Sequence, residues 1–171
     1  MVLIEDIRGE IVAAARRPAL YEDLGAPDRL DGRFEMLALH AGLALRRLVA
    51  LGGLADGIAQ DLVNSLFLHF DDTLREIGHS DVGVAKRLKA MGGAFYGRNA
   101  AYAAALDSRS RSDLAAALVR NVYGGDVAAL PRAAAFADYV FALDAALSVI
   151  SLETFANGRF RFPQVPICPG A

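Results

Sequence analysis

Apolar residues recur every three or four positions along nearly the whole chain, and glycine and proline cut that pattern into helix-sized pieces. Such spacing lines apolar side chains along one helix face, whereas a half-buried strand needs alternation by two. β-Branched alternation is scarce, and no Asn-Gly or Asp-Gly pair reads as a hairpin turn between alternating runs. The chain is therefore expected to be all-α: a single-domain bundle, spanning residues 1–171, of about six helices with an irregular C-terminal tail.

The breakers give the map. A first helix is predicted over about Ile4 to Arg16, stopped before Pro18, with PALYEDLGAPD read as a turn. A second runs from an Asp31 cap to Leu51, with Phe34, Leu37, Ala41, Ala44 and Leu48 on its core stripe, and Gly52-Gly53 ends it. A third covers Leu54 to Ile77 with Gly78 beyond it, and a fourth runs from Ser80 or Asp81 to about Leu106. After a polar link, residues 108–112, a shorter helix spans Asp113 to Tyr123. The last long helix starts near Pro131 and reaches about Gly158. The tail, residues 159–171, has three prolines and should lie irregularly across the surface.

Composition narrows the function classes. A length of 171 residues can bury a core without staples, and the single Cys168 excludes an internal disulfide. A net charge of −2 argues against bulk attraction to nucleic acid, so no specific DNA binding is expected. The start MVLIEDIRGEIV carries Glu5, Asp6 and Glu10 where a signal peptide would be cationic and then apolar. The most apolar segment, Ala133 to Leu152, contains Asp138 and Asp144 and reads as a buried core helix rather than a membrane span.

The fourth helix is the most informative. Val84, Leu88, Met91, Phe95, Tyr102 and Leu106 form its core stripe. On the opposite side Ala90, Gly93, Gly97, Ala100, Ala101 and Ala104 make a smooth strip. Glycine inside a helix costs about 1 kcal/mol against alanine, and close approach of another helix is the usual compensation. Either that helix belongs to this chain, making the fourth helix central, or it belongs to a partner. Lys86, Arg87, Lys89 and Arg98 make this region basic, beside an acidic third helix. They are either a solvated face or a docking patch for an acidic partner, RNA or an anionic membrane. Arg98 should bury its stem and pair its head, with Asp144 as candidate partner.

Other candidates are weaker. His69, Asp72 and Glu76 share a helix face without a recognised metal-ligand pattern, and Arg75 should pair with Asp71 or Asp72. Arg33, His40 and Arg47 recur every seven residues as a weakly basic ridge, with His40 read as a surface or interface histidine. Cys168 has no activating neighbour, and no phosphate loop or dinucleotide fingerprint occurs. No catalytic residue, metal or cofactor is expected.

Taken together, Gly32-Arg33-Phe34-Glu35, His40, Asp71-x-x-Leu74-Arg75-Glu76, Lys86 to Lys89 and Phe95-Tyr96-Gly97-Arg98 resemble the ubiquinol–cytochrome c chaperone family, over a core of about residues 21–156. The resemblance implies an all-helical, non-enzymatic assembly factor for the respiratory bc1 complex. It implies binding of newly made or newly inserted cytochrome b, with no cofactor of its own. In the mitochondrial members it also implies contact with the ribosome and a small partner protein. This chain shows no targeting extension and has Val84-Ala85-Lys86 where the family suggests Val-Pro-Lys. A bacterial member is expected, cytoplasmic and peripheral at the inner face of the inner membrane. Client or partner contact is expected at Arg33, His40, Lys86, Arg87, Lys89, Gly93, Tyr96, Gly97 and Arg98, with Phe34, Asp71, Arg75, Phe95 and Asp144 structural. The alternatives are a generic helical protein–protein adaptor or a metal- or haem-binding helical protein.

Overall fold

Helix α3, Leu30–Leu51, organises the computed structural model, which describes residues 2–169. Its leucines and alanines favour the helix, and the stretch from Glu35 to Ala41 is buried without a break. A helix apolar on nearly all sides must sit inside others. Accordingly α3 packs against α1 (Val2–Ala15), α4 (Leu54–Glu76), α5 (Asp81–Asp107) and α7 (Leu130–Ser148). The central helix is thus α3, and α5, which the glycine strip suggested for that place, lies on the outside.

The remaining elements are α2 (Pro18–Glu22), α6 (Arg111–Asn121), a 3-10 turn at Val127–Ala129 and α8 (Leu152–Ala156). No strand occurs among the described residues. Gly52 and Gly53 turn the chain between α3 and α4 with φ of 63° and 60°, a left-handed region that side chains with a Cβ rarely adopt. Ser80 Oγ caps α5 by accepting from the Gly83 amide at 3.3 Å.

Three boundaries differ from the sequence expectation. Asp31 is not the cap of α3; it lies in the first turn, where its charge suits the helix dipole, and Arg29 holds the extended cap position. PALYEDLGAPD is not all turn, because Pro18 starts the five-residue helix α2 and Leu20 is buried. The last long helix does not reach Gly158. It stops at Ser148, where the Ile150 carbonyl accepts from Arg47 Nε of α3 at 2.8 Å, and Ser151 Oγ caps α8 through the Thr154 amide at 3.3 Å.

The tail is irregular but anchored. Phe160, Phe162 and Val165 belong to the core, and the Phe155 and Phe160 rings stack at 4.6 Å. The Phe162 amide donates to Glu10 Oε2 at 2.9 Å, and Arg17 Nη1 donates to the Val165 carbonyl at 3.1 Å. Each buried phenylalanine contributes about 1.5–3 kcal/mol of transfer free energy. The tail therefore closes the core over α1 instead of lying loosely across the surface.

Candidate functional site

On the inner side of α5, Val84, Phe95, Tyr102, Ala105 and Leu106 are buried. The Phe95 ring packs edge-on to Phe67 of α4 at 5.9 Å. Phe34 of α3 joins the same aromatic cluster through Phe70 at 5.5 Å. This fixes which side of α5 faces out. Val82, Lys86, Lys89, Ala90, Gly93, Tyr96, Gly97, Ala100 and Ala104 are all exposed. Nothing lies within 4 Å of where a Cβ would stand on Gly93 or Gly97. No helix among the described residues covers the strip at these positions; only Ala101, expected on the same side, turns in far enough to pack against the core.

The close helix contact is made elsewhere. A Cβ on Gly42 of α3 would stand 1.8 Å from Asn99 Oδ1 of α5. Asn99 Nδ2 donates to the carbonyls of Ala38 at 3.2 Å and Phe95 at 3.0 Å. Sequence reasoning missed this pair. The signal available was a lone glycine in the buried middle of a leucine-rich helix, where its propensity cost of about 1 kcal/mol calls for a packing reason.

Arg98 buries much of its stem, but its partner is Glu35, not Asp144. Arg98 Nε donates to Glu35 Oε2 at 2.6 Å. Burial raises the Glu35 carboxyl pKa, partly opposed by the Arg98 hydrogen bond. Asp144 instead accepts from Arg46 Nε at 3.1 Å, and Arg46 Nη2 reaches Asp107 at 2.7 Å. The expected pair fails because α5 packs on α3, so the acid nearest Arg98 comes from that neighbour. Arg75 Nε donates to Asp71 Oδ2 at 2.7 Å, and the same guanidinium bonds Asp81, tying the end of α4 to the start of α5.

His40 is fully buried, so its assignment to a surface ridge with Arg33 and Arg47 is corrected. Its heptad neighbours diverge: Arg33 pairs with Asp28 at 2.8 Å, while Arg47 bonds the Ile150 carbonyl. A heptad ridge keeps one face only if that face meets solvent throughout, and the middle of α3 does not. His40 Nδ1 donates to the Met36 carbonyl at 2.7 Å, which leaves Nε2 to accept from the Tyr139 hydroxyl at 2.8 Å. Burial holds its pKa down at about 4, and the histidine is neutral at physiological pH.

Lys86, Arg87 and Lys89 are exposed and have no ion-pair partner among the described residues. Arg87 and Arg98 border a cleft of about 600 Å³ between α5, the start of α3 and the end of α6. Its floor includes Leu30, Phe34, Leu74 and Met91, and Arg29 and Arg120 join the rim. Arg33 stands on the other side of Phe34, over a smaller pocket. Five of the expected contact residues thus run along one side of the molecule: Lys86, Lys89, Gly93, Tyr96 and Gly97 on the face of α5. Arg87 and Arg98 flank that face, Arg33 is displaced from it, and His40 is inside.

His69, Asp72 and Glu76 do not converge; among the described residues no cluster of three or more His, Cys, Asp or Glu side chains could hold a metal. Cys168 is exposed in the tail. No described helix is long and apolar enough to cross a membrane.

The family described as Ubiquinol-cytochrome C chaperone matches residues 22–162. That span takes in α3 to α8 and the tail phenylalanines. No curated protein matches. Among solved structures, the crystal structure of the Cbp3 homolog from Brucella abortus is similar at 38% identity and a TM-score of 0.85, over 95% of this chain and 90% of that one.

Proposed function

The chain belongs to the ubiquinol–cytochrome C chaperone family, and on that footing we propose that it holds newly made cytochrome b while the bc1 complex is assembled. The observation that carries this reading is the uncovered face of α5. Two glycines there weaken the helix by about 1 kcal/mol each, and nothing among the described residues uses the space they leave. A helix of an apolar client laid on Gly93 and Gly97 could approach the α5 backbone closely. Tyr96 is 59% exposed and Val82 82% exposed, so the strip has apolar anchors beside it.

The cations set the location. Near an anionic membrane surface each lysine or arginine contributes about 1 kcal/mol. Lys86, Arg87 and Lys89 at one end of the strip would hold α5 at the inner face of the membrane, where an inserting client becomes accessible. Ribosome contact would draw on the same three cations. The role asks for binding and release, not for bond-making.

The test is recovery of tagged protein from its own membranes with identification of co-purifying subunits. Wild type should bring down cytochrome b without the mature complex. Lys86→Glu/Lys89→Glu should bring down several-fold less, with helical circular dichroism and melting point unchanged. Equal recovery by the double variant would remove the docking face. Recovery of a soluble partner alone would point to an adaptor instead.

A further inference from the structure

Behind Phe34, residues from α1 to α5 line a second pocket, which shares Arg29, Leu30, Phe34, Leu74 and Met91 with the cleft beside Arg87 and Arg98 but has no carboxylate in its wall. Its volume is about 320 Å³, at the small end of the ~300–1,000 Å³ typical of small-molecule sites. Phe34, Leu37, Phe70, Leu74 and Met91 form an apolar floor. Arg16, Arg29 and Arg33 stand around it, and no carboxylate lines the wall. Arg33 is engaged by Asp28, but Arg16 and Arg29 have no ion-pair partner among the described residues.

Two neutral polar groups of the wall are already used, while the His69 imidazole has no hydrogen-bond partner among the described residues. The Tyr21 hydroxyl donates to the Ala15 carbonyl at 2.8 Å, and Thr73 Oγ1 donates to the His69 carbonyl at 2.8 Å. What remains unsatisfied is cationic charge and one imidazole over an apolar floor. An inorganic anion would meet the charge and leave the floor wet. A neutral lipid would cover the floor and leave the guanidiniums without a counter-charge. Leu30 and Ile77, 40% and 54% exposed, carry the apolar track outward at the mouth.

We propose that this pocket binds one single-chain anionic amphiphile, a long-chain fatty acid, with its carboxylate between Arg16 and Arg29 and its chain along Phe34, Phe70 and Leu74. Charge-assisted pairing of a carboxylate with guanidinium sets the head, and burial of the chain's methylene groups supplies the affinity. The site stands apart from the face assigned to cytochrome b, so either reading can fail without the other.

The test uses the full chain and displacement of a dansylated fatty acid, by palmitate below its micelle concentration and by the uncharged hexadecanol. Palmitate should displace one equivalent of probe and bind about tenfold or more tightly than hexadecanol. Arg16→Gln/Arg29→Gln, both exposed positions, should abolish that preference while hexadecanol binding stays. Thr73→Phe, which fills the pocket, should weaken both ligands. Equal binding of palmitate and hexadecanol to wild type, or an undiminished preference in the arginine variant, overturns the proposal. So does a response to phosphatidylglycerol vesicles with none to monomeric palmitate, which would make the arginines a membrane contact.

Discussion

Substituting His40 by Gln tests the interior of the bundle through its pH dependence. The imidazole sits between the Met36 carbonyl and the Tyr139 hydroxyl with no exposed surface, and burial lowers its pKa from 6.5 to about 4. In the unfolded chain the ring takes a proton below its ordinary value, whereas the folded protein refuses it until about pH 4. The unfolded state therefore binds more protons across that window, and stability falls as pH falls. A tenfold difference in proton affinity between the two states corresponds to about 1.36 kcal/mol. About 3 kcal/mol of the stability present above the unfolded value is therefore lost by the time pH reaches the folded one. Urea unfolding of wild type and His40→Gln at several values from about pH 7 to pH 4 isolates this part, because the other titrating groups, Glu35 among them, are common to both. The variant should be the less stable near pH 7, by about 1–3 kcal/mol for imperfectly satisfied partners. Its deficit should shrink or invert by about 3 kcal/mol as the pH approaches 4. A difference constant across the range would refute the neutral, doubly bonded imidazole. So would a His40 ring that titrates near 6.5 by NMR.

Other substitutions probe the two sides of α5. Gly42→Ala would drive a methyl group into Asn99, whose amide is held by two carbonyls; thermal unfolding should show a loss of about 1–3 kcal/mol, partly relieved by Asn99→Ala in a double-mutant cycle. Gly93→Ala/Gly97→Ala meets open space and should raise stability by about 2 kcal/mol in the same assay, from helix propensity alone. Destabilisation by that pair would mean that the strip packs within the chain after all, and client recovery that falls while the melting point rises is the signature expected of a contact face.

Secondary structure was legible where it depended on local rules. Proline and glycine placed the ends of α1, α3 and α4, and helical spacing identified Phe95 as buried and Phe34 as packed against the core, because a core stripe repeats whatever it packs against. What the sequence could not give was the neighbour on each side. The wheel of α5 separates apolar from small residues but does not say that the small side meets solvent; that follows only from α3 taking the central place. Arg98 was recognised as a group needing a partner, yet choosing Glu35 over Asp144 required knowing the α3–α5 packing. His40 looked exposed because Arg33 and Arg47 repeat with it, and only the surrounding α7 and tail show that the middle of that ridge is inside. α2 and the break before α8 are decided by a few residues each, too short for periodicity to register.

The clasp of the tail on α1 also orders events during synthesis. Phe162 and its Glu10 partner are 152 positions apart, and loops of that span close late because their entropy must be lost before the contact repays it. A ribosome emitting about 5–20 residues per second leaves the early helices waiting, hydrated along the groove that Phe160, Phe162 and Val165 later occupy. The interior beside α1 thus stays open until Phe160, Phe162 and Val165 have been made, and the first helix to emerge is among the last to be covered.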